Sequence, residues 1–321
     1  MKDYLQMIAV TAAALLLIPL VAFAGRKNIS RETQHTTADA ENNTITILCT
    51  ETGEITSLTE LDYAVGAVFA QMPADFEPEA LKAQAVLAYT YAERRRLAEK
   101  QSPTDELKGA LMSDDTSLYQ AYFTPEQAKE VYGGEYGQAL EKITAAAESV
   151  KGVTLCYDDL PVIAEFHGIS FGYTESAFTM WGEDIPYLQP AESASDTEQD
   201  FCRSIKTFTD RELSELIPDI AEETSPLLTV AEKSEHGTVL SLRAGNELID
   251  SEEFAEKLSL PSRHFTLTRM KNDGGWEIEV LGCGHLVGMS QYGADSMAKK
   301  GMTYEQILLH YYKDCVLVQN S

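Results

Sequence analysis

The sequence predicts an α+β fold with mixed helices and mostly antiparallel sheet, one main body with an inserted smaller lobe, and an N-terminal transmembrane helix. Helical and strand-like segments are grouped along the chain rather than strictly alternating, which is the α+β pattern. The first 25 residues are strongly apolar. The chain of 321 residues has 44% hydrophobic and 24% charged residues, as globular proteins do, and it is long enough to bury a sizeable core.

The charge balance narrows the class of partner. The chain has 25 Lys and Arg residues against 51 Asp and Glu residues, a formal net charge of −26. Nucleic-acid binding needs a basic face, so no nucleic-acid partner is expected. The same acidity disfavours tight docking on anionic lipid surfaces.

The N-terminal segment determines the predicted compartment. Residues 7–25 carry no charge, and a helix needs about 20 apolar residues to cross a bilayer. Two interpretations stay open: residues 1–25 are an uncleaved transmembrane anchor, or they are a secretory signal with the A-x-A pattern at residues 22–24. The polar residues 26–43 are typical of a flexible linker. Both interpretations place the remainder outside the cytoplasm, and the first predicts a single-pass cell-membrane protein whose extracytoplasmic domain spans residues 44–320.

The five cysteines provide no disulfide framework. Their number is odd and no C-x-x-C pair occurs, so nothing in their spacing pairs them. We expect mostly free, buried thiols.

The predicted elements begin with a β-hairpin. Strand-like residues 44–50 and 54–58 flank a Thr-Gly turn. Residues 59–62 have the features of a capped helix start, and the apolar helix that follows at 63–70 is ended by Pro73.

A second helix is predicted to open at residues 77–79, with proline in its first turn and acids near the positive end of its dipole, and to end in the arginines at 94–96. One or two helices are predicted in residues 125–150, and strands at 153–157 and 161–166. An acidic surface excursion at about 190–200 is followed by a semi-independent lobe at about 205–260, with helices at 210–216 and 251–258. Strands at 265–270 and 276–281 then return to the main body, and a helix at 303–312 closes the fold.

Three stretches combine polar residues and glycine within apolar surroundings and are candidates for chemistry. The first runs from Gln71 to Ala85 and holds three carboxylates within five residues, Asp75, Glu77 and Glu79. Two interpretations stay open. The acids form an acid/base site at a helix N-terminus, or they only complement the helix dipole.

The second stretch, residues 165–175, and the third, residues 282–294, are rich in glycine. His167 is a candidate hydrogen-bond donor or metal ligand, although a histidine at a strand end is also a common structural residue. The glycines of the third stretch let backbone approach a ligand closely, but their spacing is not that of a nucleotide-binding motif. The candidate substrate-binding residues are His167, Ser170, Thr174, His285, Ser290, Gln291 and Tyr292.

Together the three stretches resemble the stage II sporulation protein D family, also called the SpoIID/LytB domain. Residues 61–92 resemble its helix–E-M-P–helix block ending in EALKAQAVAARTYA, residues 166–175 resemble F-H-S-x-S-x-G-x-T-E, and residues 282–312 resemble GWGHGVGMSQYGA followed by a HYY ending. The resemblance covers nearly all of the predicted exported chain, and its last block is highly specific.

The resemblance implies a function in sporulation. Family members resemble lytic transglycosylases that cut peptidoglycan glycan strands during forespore engulfment, in the mother-cell membrane facing the forespore septum. Their partners are other membrane proteins of the engulfment complex, including a cell-wall amidase. Such an enzyme needs one carboxylic acid, which protonates the glycosidic oxygen and then removes a proton from the 6-hydroxyl.

The chain departs from the family pattern where that acid is expected. The family's catalytic glutamate precedes Met-Pro, and this position is Gln71, whose amide has no proton to transfer. Some members bind zinc through a Cys and a His five residues apart. Asp114 and Tyr119 occupy those positions here, so neither zinc nor another cofactor is expected. In the last block, Cys283 replaces a tryptophan and Leu286 replaces a glycine.

Two explanations of this departure stay open. In the first, the protein binds glycan as a scaffold or regulator without cutting it. In the second, Asp75, Glu77 or Glu79 replaces the missing acid. An adhesion or coat-assembly module, and a metal-dependent amidase with His167 and His285 as two of its ligands, are further alternatives. The glycan-binding interpretations expect the three stretches to meet around one groove.

Overall fold

A computed structural model of the chain describes residues 44–199, 202–217, 228–245, 247–271 and 274–320. The predicted anchor at residues 1–25 and the predicted linker at residues 26–43 lie outside the described residues. Within the described ranges, no helix is both long enough and apolar enough to cross a membrane.

The helices and strands are numbered in chain order. The α-helices are α1 (Glu60–Gln71), α2 (Pro78–Gln101), α3 (Pro125–Tyr132), α4 (Tyr136–Ser149), α5 (Ala177–Trp181), α6 (Asp210–Leu216), α7 (Ser251–Lys257), α8 (Gln291–Lys299) and α9 (Tyr304–Tyr311). The strands are β1 (Thr44–Leu48), β2 (Ile55–Thr59), β3 (Met112–Ser113), β4 (Val153–Tyr157), β5 (Leu160–Pro161), β6 (Phe166–His167), β7 (Gly172–Tyr173), β8 (Glu192–Ser193), β9 (Arg203–Thr209), β10 (Leu228–Lys233), β11 (Val239–Ala244), β12 (Glu247–Asp250), β13 (Phe265–Met270), β14 (Gly275–Leu281), β15 (Met289–Ser290) and β16 (Val316–Gln319).

The fold is α+β with mostly antiparallel sheet, as predicted. Parallel pairing joins β1 to β3 and β6 to β15, whereas the other strand pairs of the described residues are antiparallel. The chain divides into two compact units. Among the described residues, the first unit runs from Thr44 to Glu165 and continues from Ala294, and the second unit is Phe166–Gly293.

The first unit is organised around the long helix α2. This helix packs against α1, α4 and β4. One side of the helix is apolar and buried, with Leu81, Ala85, Ala88 and Tyr89 at helical spacing. Strands are ordered β2-β1-β3 in one sheet and β16-β4-β5 in another. The predicted capped start of α1 is also confirmed, since the Thr59 side chain accepts a hydrogen bond from Asp62 N.

Helix α2 continues to Gln101, so the predicted end at the arginines 94–96 is wrong. Arg95 Nη2 lies 2.7 Å from Glu99 Oε1 one turn further along the helix, and Arg95 Nε donates to Leu111 O at 3.1 Å. Because an oppositely charged pair at i and i+4 supports a helix, this arginine extends α2 instead of ending it.

The strand predicted over residues 161–166 is wrong as a continuous element. β4 and β5 form a tight hairpin whose turn residues Asp158 and Asp159 have φ angles of 51° and 65°. Proline cannot donate to a sheet ladder, and β5 ends at Pro161. The next strand begins only at Phe166 and pairs with β15.

The second unit contains the predicted lobe and more. The strands β13 and β14, which we expected to return to the main body, belong to this unit, and β14 pairs with both β13 and β9. The physical reason is a shared core: Phe265 and Ile278 of these strands are buried with Leu242 and Phe254 of the predicted lobe. Burial of these apolar side chains together drives the association.

The acidic segment at about 190–200 is not a surface excursion throughout, and this prediction is wrong at its centre. β8 pairs with β7, and a 3₁₀-helix, Ala194–Glu198, follows it. Asp196 within that helix is 0% exposed. Hydroxyl and amide donors bond one oxygen of its carboxylate, as described below.

The five cysteines, Cys49, Cys156, Cys202, Cys283 and Cys315, are free thiols, as predicted. Three of them are buried and two are partly buried.

Candidate functional site

The first stretch lies at the junction of α1 and α2 in the first unit. Gln71 is the last residue of α1, and its side chain is only 2% exposed. Its Nε2 donates to Ala121 O at 2.8 Å. Its Oε1 accepts from Gln84 Nε2 at 2.9 Å and from Gln120 Nε2 at 3.4 Å. The amide therefore uses both of its ends inside the protein.

A glycine of α1 brings the Ala121 carbonyl to this position. A Cβ on Gly66 would lie 2.1 Å from the Tyr122 side chain and 2.6 Å from Phe123 O, and Phe123 N donates to Gly66 O at 3.1 Å. Only glycine allows the loop to approach the helix this closely. The loop thereby presents a carbonyl acceptor to Gln71 Nε2.

The three carboxylates of this stretch differ in their surroundings. Glu79, in the first turn of α2, lies 2.6 Å from Lys82 Nζ. It also accepts a hydrogen bond of 2.8 Å from Tyr304 N at the start of α9. These contacts fit the interpretation in which Glu79 supports helix starts. Asp75 is exposed and Glu77 is half-buried.

Asp295 of α8 holds the loop that carries these acids, and sequence reasoning missed it. The side chain is 3% exposed. Its Oδ1 accepts from Glu77 N at 2.7 Å, and its Oδ2 lies 2.6 Å from Lys299 Nζ. Glu77 is the N-cap residue of α2 and makes no side-chain cap bond, so Asp295 supplies an acceptor for one of the N–H groups that a helix start leaves unpaired.

The positions that the resemblance relates to zinc ligands make other contacts. Asp114 Oδ1 accepts from Thr50 N at 2.8 Å and from Thr50 Oγ1 at 2.7 Å. Partial burial opposes ionisation, but hydrogen bonds from Thr50 and Cys49 outweigh it and lower the pKa of Asp114. The Arg95 guanidinium lies 5.0 Å from the centre of the Tyr119 ring. Among the residues the structure describes, no group of three or more His, Cys, Asp or Glu side chains is arranged to hold a metal.

The second and third stretches meet within the second unit. β6 and β15 pair in parallel, which places His167 beside Ser290. Tyr292 N donates to Gly168 O at 3.1 Å. A Cβ on Gly284 would lie 2.8 Å from His167 Cβ, so glycine is required for this close approach. The first stretch belongs to the first unit, and the expectation of a groove shared by all three stays a prediction.

The backbone of Val287 sets opposite tautomers on two histidines. A carbonyl only accepts, so His167 Nδ1, which lies 3.2 Å from Val287 O, carries a proton. Val287 N donates to His285 Nδ1 at 3.1 Å, so a neutral His285 carries its proton on Nε2. The two imidazole centres are 5.9 Å apart, and the Trp181 ring lies 5.3 Å from that of His285.

Burial decides the chemistry of the titratable groups here. His167 is 1% exposed, and burial, with a contribution from the neighbouring His285, lowers its pKa to about 3. His167 is therefore neutral at ordinary pH and unsuited to donating a proton as an acid. Burial also raises the pKa of the Cys283 thiol to about 11, which leaves little thiolate for nucleophilic attack.

The other candidate residues of these stretches are mainly enclosed by protein. Ser170, Thr174, Ser290 and Gln291 are each 2% exposed or less. The Thr174 hydroxyl, for example, accepts from Ala191 N at 2.9 Å. Among the predicted substrate-binding residues, Tyr292 is partly exposed and His285 is 9% exposed, which is more than the four residues above. Substrate binding by the set stays a prediction.

Leu286 occupies a backbone conformation that favours glycine. Its φ is 65°, which costs an L-residue roughly 1–2 kcal/mol. Its side chain is 1% exposed, and its carbonyl accepts from Glu175 N at 2.7 Å. Burial of the leucine side chain offsets the unfavourable backbone conformation.

Comparison with known proteins identifies the family. A sequence model described as "Stage II sporulation protein" (SpoIID) matches residues 50–157. The chain is 32% identical over 330 residues to stage II sporulation protein D of Bacillus subtilis (strain 168), an alignment that covers 98% of this chain and 95% of the relative. The chain belongs to the stage II sporulation protein D family.

This SpoIID-family chain is also similar to two further proteins. It is 32% identical over 332 residues to stage II sporulation protein D of Bacillus amyloliquefaciens, with 98% of this chain and 95% of the relative covered. It is also 23% identical over 304 residues to a protein of Bacillus subtilis (strain 168) named amidase enhancer, with 78% of this chain and 40% of that protein covered. The region matched to the SpoIID family contains Gln71 and the three carboxylates of the first stretch.

Proposed function

We propose that this protein binds peptidoglycan glycan strands during forespore engulfment and acts as a scaffold or regulator, with weak or absent lytic transglycosylase activity. The observation that carries the proposal is the buried amide of Gln71, which is hydrogen-bonded at both ends by Ala121, Gln84 and Gln120. This amide stands where the family resemblance expects the catalytic acid. Loss of general acid/base help costs about 10²–10⁴-fold in rate.

A lytic transglycosylase with a substituted acid is the second candidate. Asp75 favours it, because this carboxylate is exposed and lies four residues beyond Gln71. Glu77 is the next candidate. Glu79 is the weakest of the three, since its carboxylate already bonds to Lys82 and to Tyr304 N.

We propose the partners and the location by analogy with the same family. A relative is named amidase enhancer, which supports a cell-wall amidase of the engulfment complex as the partner. We place the protein in the mother-cell membrane through residues 1–25, with the described units outside the cytoplasm. No cofactor is assigned, and zinc analysis of the purified protein is expected to find well under one zinc per chain.

Digestion of purified cell-wall sacculi tests the proposal. The full-length protein is incubated with sacculi, bound protein is measured by sedimentation, and released fragments are analysed by mass spectrometry for anhydro-muramic ends. We expect binding without abundant anhydro ends. Abundant anhydro ends that disappear in Asp75→Asn or Glu77→Gln would establish the second candidate, and absence of sedimentation would contradict glycan binding in either form.

A further inference from the structure

The carboxylate of Asp196 is fully enclosed in the second unit, although the surrounding sequence is acidic and polar. One of its oxygens, Oδ2, accepts three hydrogen bonds. Ser170 N donates at 2.9 Å, Ser170 Oγ at 2.6 Å and Ser290 Oγ at 2.8 Å. Both serine side chains are 0% exposed, as is Asp196.

The three donors come from two different stretches of candidate site residues. Ser170 follows β6 and His167, whereas Ser290 is the last residue of β15. The Ser290 hydroxyl also accepts from Gly293 N at 3.1 Å in the first turn of α8. Asp196 Oδ2 is therefore a single atom that joins the loop after His167 to the start of the helix that carries Tyr292.

Packing alone does not explain a carboxylate at this place. Removing a carboxylate from water is costly, and an apolar side chain of similar size would fill the space more favourably. Burial raises the pKa of Asp196, while hydrogen bonds from Ser170, Ser290 and Ser193 partly counteract this effect. What a carboxylate offers is direction, because its hydrogen bonds fix the positions of the donors.

We propose that Asp196 is a positioning residue for glycan binding, which holds the Ser170 loop and the Ser290–Gly293 turn in the arrangement that presents Tyr292 to the sugar. The inference rests on the proposed function, since it assigns glycan binding to these two stretches. Asp196 itself, being enclosed, does not touch the ligand.

The variants Asp196→Ala and Asp196→Asn separate positioning from general stability. Alanine removes the acceptor and leaves three donors without it, whereas asparagine keeps a carbonyl oxygen that can accept from the serines. The matched control is Asp250→Ala, which removes an acceptor for Glu252 N and Glu253 N at the start of α7 in the same unit. This control weakens the unit at a helix N-cap without changing either stretch.

Two measurements on the full-length protein in detergent are required. Binding is measured to a soluble tetrasaccharide of alternating N-acetylglucosamine and N-acetylmuramic acid. Hydrogen exchange is followed at the amides of Ser170, Tyr292 and Gly293. We expect Asp196→Ala to weaken tetrasaccharide binding at least tenfold and to speed exchange at these amides at least tenfold. Asp196→Asn is expected to stay within threefold of the unmodified protein, and Asp250→Ala within twofold.

Failure of the inference and failure of the proposed function are distinguishable. Unchanged binding and exchange in a folded Asp196→Ala protein would overturn the inference and leave glycan binding intact. If the unmodified protein does not bind the tetrasaccharide, the proposed function fails and with it the role in binding. If Asp196→Ala does not fold, the variant Ser170→Ala is tested instead, because it removes the hydroxyl but keeps the hydrogen bond from Ser170 N to Asp196. We then expect tetrasaccharide binding to weaken three- to tenfold. Unchanged binding would contradict the inference.

Discussion

At the scale of single residues, Gln71 provides the most direct test of the proposed function. If glutamate replaced it, one carboxyl oxygen would occupy the place of Nε2 and face Ala121 O, which also only accepts hydrogen bonds. That oxygen must then carry a proton, while the other accepts from Gln84 Nε2 as Gln71 Oε1 does now. Burial acts in the same direction, so we expect Gln71→Glu to have a carboxyl pKa well above its ordinary value.

We therefore predict that Gln71→Glu gains transglycosylase activity, because a protonated carboxyl can serve as general acid. The expected increase in release of anhydro-muramic ends over the unmodified protein is about 10²–10⁴-fold. Gln84→Glu, which changes the neighbouring buried glutamine instead, is the control and is expected to release no more than the unmodified protein. A folded Gln71→Glu protein that binds sacculi without any gain in release would contradict this prediction.

The buried His167 supports a prediction about how the free energy of unfolding depends on pH. The folded protein holds His167 neutral down to a pKa of about 3, whereas the unfolded chain binds a proton at the ordinary histidine pKa of about 6.5. Between these two values the unfolded state carries more protons, so the free energy of unfolding falls as pH is lowered. The expected slope from this residue is about 1.4 kcal/mol per pH unit.

Guanidinium unfolding of the full-length protein between pH 4 and 7 measures this slope. Burial also lowers the pKa of His264 to about 4, so this residue adds to the slope over part of the range. His167→Asn is expected to flatten the dependence by one group, and His310→Asn in the first unit is the control. Equal slopes in the two variants would show that His167 does not contribute.

At the scale of elements, local signals were readable from the sequence and distant contacts were not. The start of α1 was predictable because Thr59 and Asp62 are three residues apart. The length of α2 was not, because charged runs are read as helix ends unless their partners are known. Asp196 and Asp295 were missed for the same reason, since their partners Ser170 and Glu77 lie 26 and 218 residues away. The small, uncharged residues 193–195 that precede Asp196 were a sequence signal that this part of the acidic segment is buried.

Leu286 supports a prediction about the loop between β14 and β15. Leu286→Ala removes a buried side chain but keeps the backbone strain, so we expect a loss of about 2–5 kcal/mol in the free energy of unfolding. Leu286→Gly loses the same side chain but relieves the left-handed conformation. It is therefore expected to be about 1 kcal/mol more stable than the alanine variant and still less stable than the unmodified protein.

Thermal and guanidinium unfolding of the two variants, followed by the fluorescence of Trp181 and Trp276 in the second unit, provides the comparison. Gly182→Ala is the control, because Gly182 also has a positive φ and a Cβ there would meet nothing within 4 Å, so added backbone strain alone lowers stability. An alanine variant at least as stable as the glycine variant would contradict the assignment of strain to Leu286.

At the scale of the whole molecule, we expect the net charge of −26 to affect how the protein binds its proposed ligand. Cell walls also contain anionic polymers, so like charges oppose binding at low ionic strength. We predict that sedimentation with sacculi strengthens about threefold when the salt concentration rises from about 0.05 to 0.5 M, because salt screens this repulsion.

Sacculi stripped of anionic polymers are the control, and the effect of salt on binding to them is expected to be small. Binding that weakens with added salt on both kinds of sacculi would indicate an attractive charge contact in place of repulsion.

The pairing of β16 with β4 has a consequence for biosynthesis. The first unit combines a chain segment that precedes the second unit in the sequence with a segment that follows it. Leu155 of β4, in the earlier segment, pairs with Leu317 of β16, in the later one. While the chain emerges from the ribosome, the first unit cannot complete its β16-β4-β5 sheet until its last strand has been made, even though most of its helices are already synthesised. A frameshift or nonsense codon late in the gene, well beyond the second unit, therefore removes a structural strand from the unit that was made first.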